Sequence, residues 1–364
     1  TTLGMIASIP GQTMGIGVYT DFLIQSTNLT RLQISMSYMI GTILSSLLLP
    51  IAGRYYDIFG SRVMIVVAGA GLGISLILLS ESFNLITLSQ TLLPGLSPVA
   101  NRILVMILIF LLLRQFGQGI MAMVSLNTLA KWFDSHRGLV SGISGIFVSF
   151  SFAVAPLFMN VLIEGYSYPG SMFLMALICG FGMAFIGWLF YRDKPEDCGL
   201  LMDGRIISSK VKTTLAAEPE ITLKVALRTY NFWIFCLGLC SLSFIVTGFT
   251  FHISSIGALS GLSRIDSFGI FLPISFISAI SHLVAGWASD RTPLKYLLMT
   301  LLASLVIGCL GMLHLELFLF RLLVIFGFGV SGGLYACLAI VTWPRFYGRK
   351  HLGSISGAFM GAQV

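Results

Sequence analysis

The sequence predicts an all-α, polytopic membrane protein, and three properties of the chain carry this prediction. Of its 364 residues, 56% are hydrophobic and only 10% are charged, whereas a soluble domain carries about 25% charged residues. Apolar runs of about 20 residues follow one another along the chain, and a helix of that length crosses the hydrocarbon layer of a bilayer. Short loops separate these runs and contain most of the charged residues.

The apolar runs predict ten complete membrane spans and the beginning of an eleventh. Both ends of the chain lie within apolar runs, so we expect short pieces to be missing on either side and twelve spans in the complete protein. The spans are predicted at residues 1–20, 34–53, 63–80, 103–130, 138–163, 171–191, 231–253, 268–289, 297–313 and 317–341, with the eleventh beginning near 352.

The basic residues are concentrated in alternate loops. By the positive-inside rule these loops face the cytoplasm. Their basic residues account for the net charge of +7, so we expect the lipid bilayer of the cell membrane as surroundings and no nucleic acid as partner. Sixteen of the 21 Lys and Arg residues fall in the loops after the even-numbered spans, at 54–62, 131–137, 192–228, 291–295 and 345–350.

A charged cluster after span two recurs after span eight. "GRYYD" begins at Gly53 and "GWASDR" begins at Gly286, and in both an Asp follows the Gly four positions later, at Asp57 and Asp290. A longer repeat relates "GQGIMAMVSLNTLAKWF" to "GFGVSGGLYACLAIVTW", and each is followed by a Ser-Gly pair. Parallel repeats of six helices are typical of transporters with two helical bundles around a central path.

Two motifs extend this pattern. The loop after span two reads G-x-x-x-D-x-x-G-x-R, and span four contains R-x-x-G-x-G. With these motifs and the repeat, the chain resembles the major facilitator superfamily over essentially its whole length. The resemblance implies the major facilitator fold of two six-helix bundles, of which the chain covers about ten and a half of twelve spans. The matching residues are Gly53, Asp57, Gly60, Arg62, Arg114, Gly117 and Gly119.

The resemblance also implies a domain organisation and a class of function. Residues 1–191 are expected to form the first bundle and residues 230–364 the second. The polar stretch 192–229, rich in charges and with Pro and Gly, is expected to be a cytoplasmic linker. We expect a monomeric transporter of a small solute that works by alternating access, is not an enzyme, and needs neither a cofactor nor a metal.

We interpret the repeated charged cluster as a cytoplasmic gate. Glycine at a helix end allows close helix approach, an Asp near a helix N-terminus meets the positive end of the helix dipole, and Arg62 could pair with Asp57. The alternative is a static, solvated turn. The gate residues are Gly53, Asp57, Gly60, Arg62, Gly286, Asp290 and Arg291.

Two titratable residues lie well inside predicted spans, Arg114 in span four and His282 in span eight, whereas no acid lies in the middle of a span. A cavity with this composition is neutral to positive, which favours a small organic anion as substrate. Structural roles are the alternatives, since Arg114 could reach Asp21 and His282 could bond to Ser278 or Ser281. The candidates for contact with substrate or coupling ion are Gln12, Arg114, Gln118, His282 and Tyr335.

Within the superfamily, "NTLAKWFDSHRGLVSGISG" and "FYRDKPEDCGL" are similar to the monocarboxylate-carrier and oxalate–formate exchanger branch. Members of that branch carry a Lys after the Pro of span one, and an Asp with an Arg four residues later in span eight. The corresponding positions in this chain are Gly11, Ser278 and His282.

Two other classes of function compete with transport. A non-transporting receptor could use the same fold and the same cavity. An intramembrane serine protease is indicated by "GISG" from Gly142 together with the histidine of "SHLVAG", because a Ser–His pair is the minimum for nucleophilic catalysis. The Ser-Gly pair recurs in the second half, however, where small residues serve close helix packing.

Overall fold

The computed structural model describes residues 1–204 and 219–363, and these residues are helical apart from turns and short loops. Fifteen α-helices are numbered in chain order. They are α1 (Thr2–Ala7), α2 (Thr13–Thr27), α3 (Arg31–Ser80), α4 (Ser82–Leu92), α5 (Pro98–Leu113), α6 (Ala122–Trp132), α7 (Arg137–Met175), α8 (Met183–Phe190), α9 (Leu223–Ala226), α10 (Tyr230–Leu259), α11 (Arg264–Gly269), α12 (Phe271–Ser289), α13 (Leu294–Gly311), α14 (Phe318–Tyr347) and α15 (Leu352–Ala362).

Seven of the described helical segments are long and apolar enough to cross a membrane. Two of them hold a pair of predicted spans joined by a single sharply bent residue. Gly60 bends α3 with φ 79°, and Ser167 bends α7 with φ 62°. Left-handed backbone of this kind is what glycine adopts readily, so Gly60 allows spans two and three to follow one another without a loop.

The first predicted span is not one continuous helix, which corrects the sequence prediction. It consists of α1, a 3-10 turn over Ile9–Gly11, an extended Gln12 and then α2. Pro10 has no backbone N–H and disfavours helical backbone in the residue before it. Gly11 lies against Gly117, where an added Cβ would come within 2.7 Å of the neighbouring Cα.

Spans four and six each contain a stretch of π-helix, over Arg114–Met121 and Ala176–Gly182. A π-helical turn leaves the regular hydrogen-bond pattern and occurs frequently at functional sites. A short helix that the apolar runs did not predict, α4, lies between spans three and four. It is held to α5 by Asn101, whose Nδ2 donates to the Ile86 carbonyl and to Ser89 Oγ.

Two hydrophobic cores lie side by side. The first combines side chains from α1 to Tyr191, with Met172, Leu72 and Phe110 among them. The second combines side chains from Ala226 to Phe359 together with two residues of α6. The ends of the helices that carry the basic loops are called the basic face, and the other ends are called the opposite face.

The described parts of the predicted linker are attached to the basic face. Asp203 accepts hydrogen bonds from the backbone N–H groups of residues 134–136 and from the Ser135 hydroxyl. Burial alone would raise the pKa of Asp203, but these hydrogen bonds lower it below its ordinary value. Glu196 pairs with Arg349 at 2.9 Å. Residues 205–218 of the linker lie outside the described residues.

The contact between Gly11 and Gly117 should limit the stability of the fold. Replacing Gly117 with Ala places a methyl group against backbone, which cannot rotate away, and overpacking of this kind costs about 1–3 kcal/mol. We expect Gly117→Ala to lower the melting temperature in detergent by several degrees. Gly165→Ala is the matched control, because Gly165 is an exposed helix residue with nothing within 4 Å of an added Cβ. Equal melting temperatures for the two variants would contradict this interpretation.

Candidate functional site

A central cavity with a volume of about 1300 Å³ lies between the two cores. Its first wall comes from α2, α3, α7 and the π-helical stretch of span four, and its second wall comes from α10, α12, α14 and α15. Arg31 and Phe271, at helix ends on the opposite face, belong to the lining, whereas the gate residues do not. The cavity therefore opens towards the opposite face and is closed towards the basic face.

Arg114 is the deepest charge in this cavity. The residue is only 6% exposed, yet it makes no ion pair among the described residues. Its Nη1 donates a long hydrogen bond of 3.4 Å to Thr13 Oγ1, and its guanidinium lies 5.4 Å from the centre of the Tyr38 ring. Thr13 and Tyr38 are joined by a 2.8 Å hydroxyl hydrogen bond.

The alternative that Arg114 is neutralised by Asp21 does not hold in this structure. Asp21 pairs with Arg31 at the mouth of the cavity, where both side chains are largely exposed. Among the described lining residues, Arg31 and Arg114 are charged and none is acidic. Because Arg31 is paired with the Asp21 carboxylate, Arg114 is the cation of this lining that lacks a counter-charge.

The second wall of the cavity is neutral. Tyr335 and Gln363 both line it, and the Gln363 Nε2 donates to the Tyr335 hydroxyl oxygen at 2.5 Å. Ser243 lines the same wall near this hydroxyl. Sequence reasoning named Tyr335 but missed Gln363, because Gln363 lies at the end of an apolar run with no motif around it.

The other predicted contact residues are divided between the cavity and the packing around it. Gln118 lines the cavity, and its Oε1 is buried without a hydrogen-bond partner. Gln12 lies at the break in span one, where its Nε2 donates to Ser8 Oγ at 2.8 Å instead of facing the cavity. His282 does not line the cavity. It belongs to α12 and its side chain faces Ser141 of α7.

The basic face is closed by Asp57, which reaches the first residues of α15. Its two carboxylate oxygens accept hydrogen bonds from the backbone N–H groups of Gly353 at 2.7 Å and Ser354 at 2.8 Å. Gly53 packs directly on Gly353, with no room for a Cβ on either residue. Lys131, which is 4% exposed, lies beneath this contact with its Nζ 4.2 Å from the centre of the Tyr56 ring.

The repeat of this cluster closes the other side of the same face. Asp290 accepts a hydrogen bond from the backbone N–H of Gly138, at the start of α7, at 3.3 Å. Burial raises the pKa of Asp290 above its ordinary value, against the effect of the N–H groups of Gly138 and Leu139. Gly286 packs on Gly138 as Gly53 packs on Gly353. The two halves are therefore joined by the same contact made twice.

A second pair of contacts lies next to these, and each uses the serine of one of the two repeated Ser-Gly pairs. Ser356 Oγ accepts from Asn127 Nδ2 at 2.7 Å, and both groups are buried. Ser141, the counterpart of Ser356 in the first half, lies 3.1 Å from His282 Nε2, and these groups are also buried. The predicted partners of His282, Ser278 and Ser281, are thus replaced by a serine from the other half.

Three predicted gate residues do not bridge the two halves. Arg62 does not pair with Asp57, because its backbone N–H donates to Asp193 at 3.0 Å and its Nε donates to the Trp188 carbonyl. Gly60 lies against the same Asp193 carboxylate. Arg291 donates to the carbonyl of Trp287 and stacks on that ring at 4.5 Å. These residues organise the helix ends of their own half.

The described residues hold neither the predicted alternative catalytic pair nor a metal site. Ser144 of "GISG" shares a hydrogen bond with Thr2 at 2.8 Å, and the histidine bonds to Ser141 instead. In the described part of the chain, no three His, Cys, Asp or Glu residues are grouped so that they could hold a metal ion.

Comparison with known proteins decides the family. A family model described as Major Facilitator Superfamily matches residues 1–364. The chain belongs to the major facilitator superfamily. Membership points to a membrane transporter rather than an enzyme, with a small molecule as its substrate. A comparison with curated protein sequences finds no relative of the chain, so the branch similar to monocarboxylate carriers is not confirmed.

Solved structures of transporters share the fold. The proton:xylose symporter XylE bound to 6-bromo-6-deoxy-D-glucose matches with a TM-score of 0.68 and 13% identity over 99% of this chain and 85% of the other. The E. coli fucose:proton symporter FucP matches at 0.65 and 12%, over 99% and 87%. A bacterial homologue of the iron transporter ferroportin, in its outward-facing state, matches at 0.64 and 14%, over 100% and 87%.

The closed basic face should open more readily when either bridging carboxylate is neutralised. Asp57→Asn and Asp290→Asn each remove a charged acceptor from backbone N–H groups, and hydrogen bonds to charged groups are worth about 1.5–3 kcal/mol. We expect electron–electron distances between spin labels at residues 58 and 296 to shift to longer values in both variants.

The controls for this experiment are Asp193→Asn and Arg62→Ala. Both alter contacts on the basic face that stay within one half, so the distance distribution should remain that of the unmodified protein. Unchanged distances in Asp57→Asn and Asp290→Asn, or equal shifts in all four variants, would contradict a gate built on the two bridging carboxylates.

Proposed function

We propose that this protein transports a small organic anion by alternating access. The observation that carries the proposal is the unpaired guanidinium of Arg114 in a cavity whose described lining contains no acid. A buried charge is costly unless a partner, a water-filled cavity or a ligand compensates it. An anionic substrate supplies the counter-charge that the protein itself does not supply.

The break in span one favours the same sign of substrate. The N-terminus of α2 begins at Thr13, next to the Arg114 guanidinium, and no side chain caps it. The N-terminus of a helix carries a partial positive charge and free backbone N–H groups. In transporters, discontinuous spans commonly direct such half-helix N-termini at anionic groups of the substrate.

The closed basic face and the open opposite face support alternating access. If the basic face lies in the cytoplasm, as the positive-inside rule predicts, the structure corresponds to the outward-open state. The bridging contacts of Asp57 and Asp290 break as the two halves rock about the cavity. A receptor on the same fold would not need a repeated, separable contact in both halves, and for this reason we favour transport.

The sugar symporters among the structural neighbours suggest a neutral substrate as the competing possibility. Their names state xylose and fucose as substrates. At 12–13% identity, however, the likeness shows the fold alone and does not extend to the choice of substrate. The unpaired Arg114 favours an anion over a sugar.

Transport of an anion should depend on Arg114. Arg114→Gln keeps a long polar side chain but removes the charge, and we expect uptake of carboxylates by proteoliposomes to fall at least tenfold, mainly through a raised KM. Arg102→Gln is the matched control, because Arg102 lies outside the cavity and bonds to the Asn28 carbonyl. Transport of a sugar or a cation with no response to Arg114→Gln would end the anion proposal.

His282 occupies a place suited to proton coupling through the gate. Its Nε2 bonds to Ser141, and its Nδ1 lies against Gly145, where no Cβ would fit. The charged groups on the packed elements have partners of their own nearer the basic face. Arg137 donates to the Ala130 and Phe133 carbonyls, Asp290 accepts from the backbone of α7, and Arg345 donates to the Ser289 carbonyl.

Protonation of His282 should loosen the contact between the two halves. The imidazolium would be buried without a counter-charge, so acid should favour opening of the basic face. We expect His282→Gln, which can still bond to Ser141, to transport at neutral pH but to lose the response of uptake to acidification below about pH 6.5, the ordinary pKa of histidine. His314→Gln is the control, since His314 is exposed on the opposite face beside Glu316. An identical pH profile in His282→Gln would exclude this role.

A further inference from the structure

We infer that the anion carries its charge at one end only and a hydroxyl group at the other, and that Tyr335 and Gln363 recognise the hydroxyl. This inference rests on the proposed function and specifies the substrate of the same cavity. It follows from the different chemistry of the two walls.

Both walls contain neutral polar side chains, but only the first wall contains charged ones. The described residues of the first wall include Arg31 and Arg114, whereas those of the second wall include neither an acid nor a base. The neutral polar groups of the second wall are Ser243, Thr247, Ser275, Ser278, Tyr335 and Gln363. A substrate that spans the cavity therefore meets a cation at one end and neutral hydrogen-bonding groups at the other.

Tyr335 and Gln363 together offer both a donor and an acceptor. The Gln363 Nε2 donates one N–H to the Tyr335 oxygen at 2.5 Å. The Gln363 Oε1 remains available as an acceptor. The phenol hydrogen of Tyr335 is not used in this bond and supplies a donor. A hydroxyl group both donates and accepts, so it can satisfy the two sides at once.

A second carboxylate would fit this wall poorly. An ionised carboxylate accepts hydrogen bonds but donates none, so it would face the Gln363 Oε1 without a hydrogen between them. No described cation lies on this wall to compensate its charge. A methyl group would leave the Tyr335–Gln363 pair desolvated and without a new partner, which also weakens binding.

Three sets of straight-chain acids of four to six carbons test the inference. All carry a carboxylate at one end, and the other end is a methyl group, a hydroxymethyl group or a second carboxylate. Dissociation constants are measured at pH 7.5 by the thermal stabilisation of the purified protein, and uptake is measured in proteoliposomes. We expect the hydroxyl-terminated acid of the best-fitting length to bind about tenfold more tightly than the methyl-terminated acid of equal length.

Tyr335→Phe should reduce this preference to about twofold or less while leaving the methyl-terminated acid nearly unaffected, because only the hydroxyl contact is lost. Tyr296→Phe is the matched control, since Tyr296 is exposed on α13 and outside the cavity, and it should retain the full preference. Arg114→Gln should weaken all three sets together, which separates the role of the charge from that of the hydroxyl.

The outcomes distinguish this inference from the function on which it rests. Binding that requires Arg114 but shows no preference for the hydroxyl, or retains that preference in Tyr335→Phe, overturns the inference and leaves the anion proposal standing. Tightest binding of the dicarboxylates likewise overturns the inference and leaves the anion proposal standing. If none of the acids binds, the anion proposal fails and the inference fails with it.

Discussion

Two aspartates reach across the molecule to backbone N–H groups at the start of a helix in the other half, and the closed basic face depends on these contacts. Asp57 meets the start of α15, and Asp290 meets the start of α7. The free N–H groups and the dipole of a helix N-terminus make it a natural partner for a carboxylate. While both contacts are made, the cavity can open only towards the opposite face.

The same physical device is also used within the first half and the linker attached to it, where it serves a different purpose. Asp193 accepts from the backbone N–H of Arg62, at the bend between spans two and three. Asp203 accepts from the residues just before α7. These carboxylates hold elements of one half together, so they are structural. Of these four carboxylates, those of Asp57 and Asp290 bond to a helix N-terminus of the other half, as the predicted gate requires.

The sequence was sufficient to predict the fold and the repeat, but not the partners of the gate residues. Apolar runs and paired glycines predicted the spans, and the spacing of Asp57 and Asp290 marked equivalent positions. Arg62 lies in the same motif as Asp57 and is predicted from the sequence to pair with it, whereas the observed partner, Gly353, lies 296 residues away. Partner choice over such separations depends on three-dimensional packing. The break at Pro10 and the π-helical stretches were not predicted because each lies inside a run long and apolar enough to be a continuous span.

The surfaces that meet at the gate have a thermodynamic consequence. At Gly53–Gly353 and Gly138–Gly286, backbone touches backbone and no side chain is interposed. Burial of apolar area contributes about 25 cal/mol per Å², and glycine offers little of it. Separation at these glycine pairs therefore exposes mainly peptide groups that water can solvate. In the proposed transport cycle, little apolar burial is therefore lost where these glycine pairs separate, and the binding free energy of a small solute can help to reverse the direction in which the molecule opens.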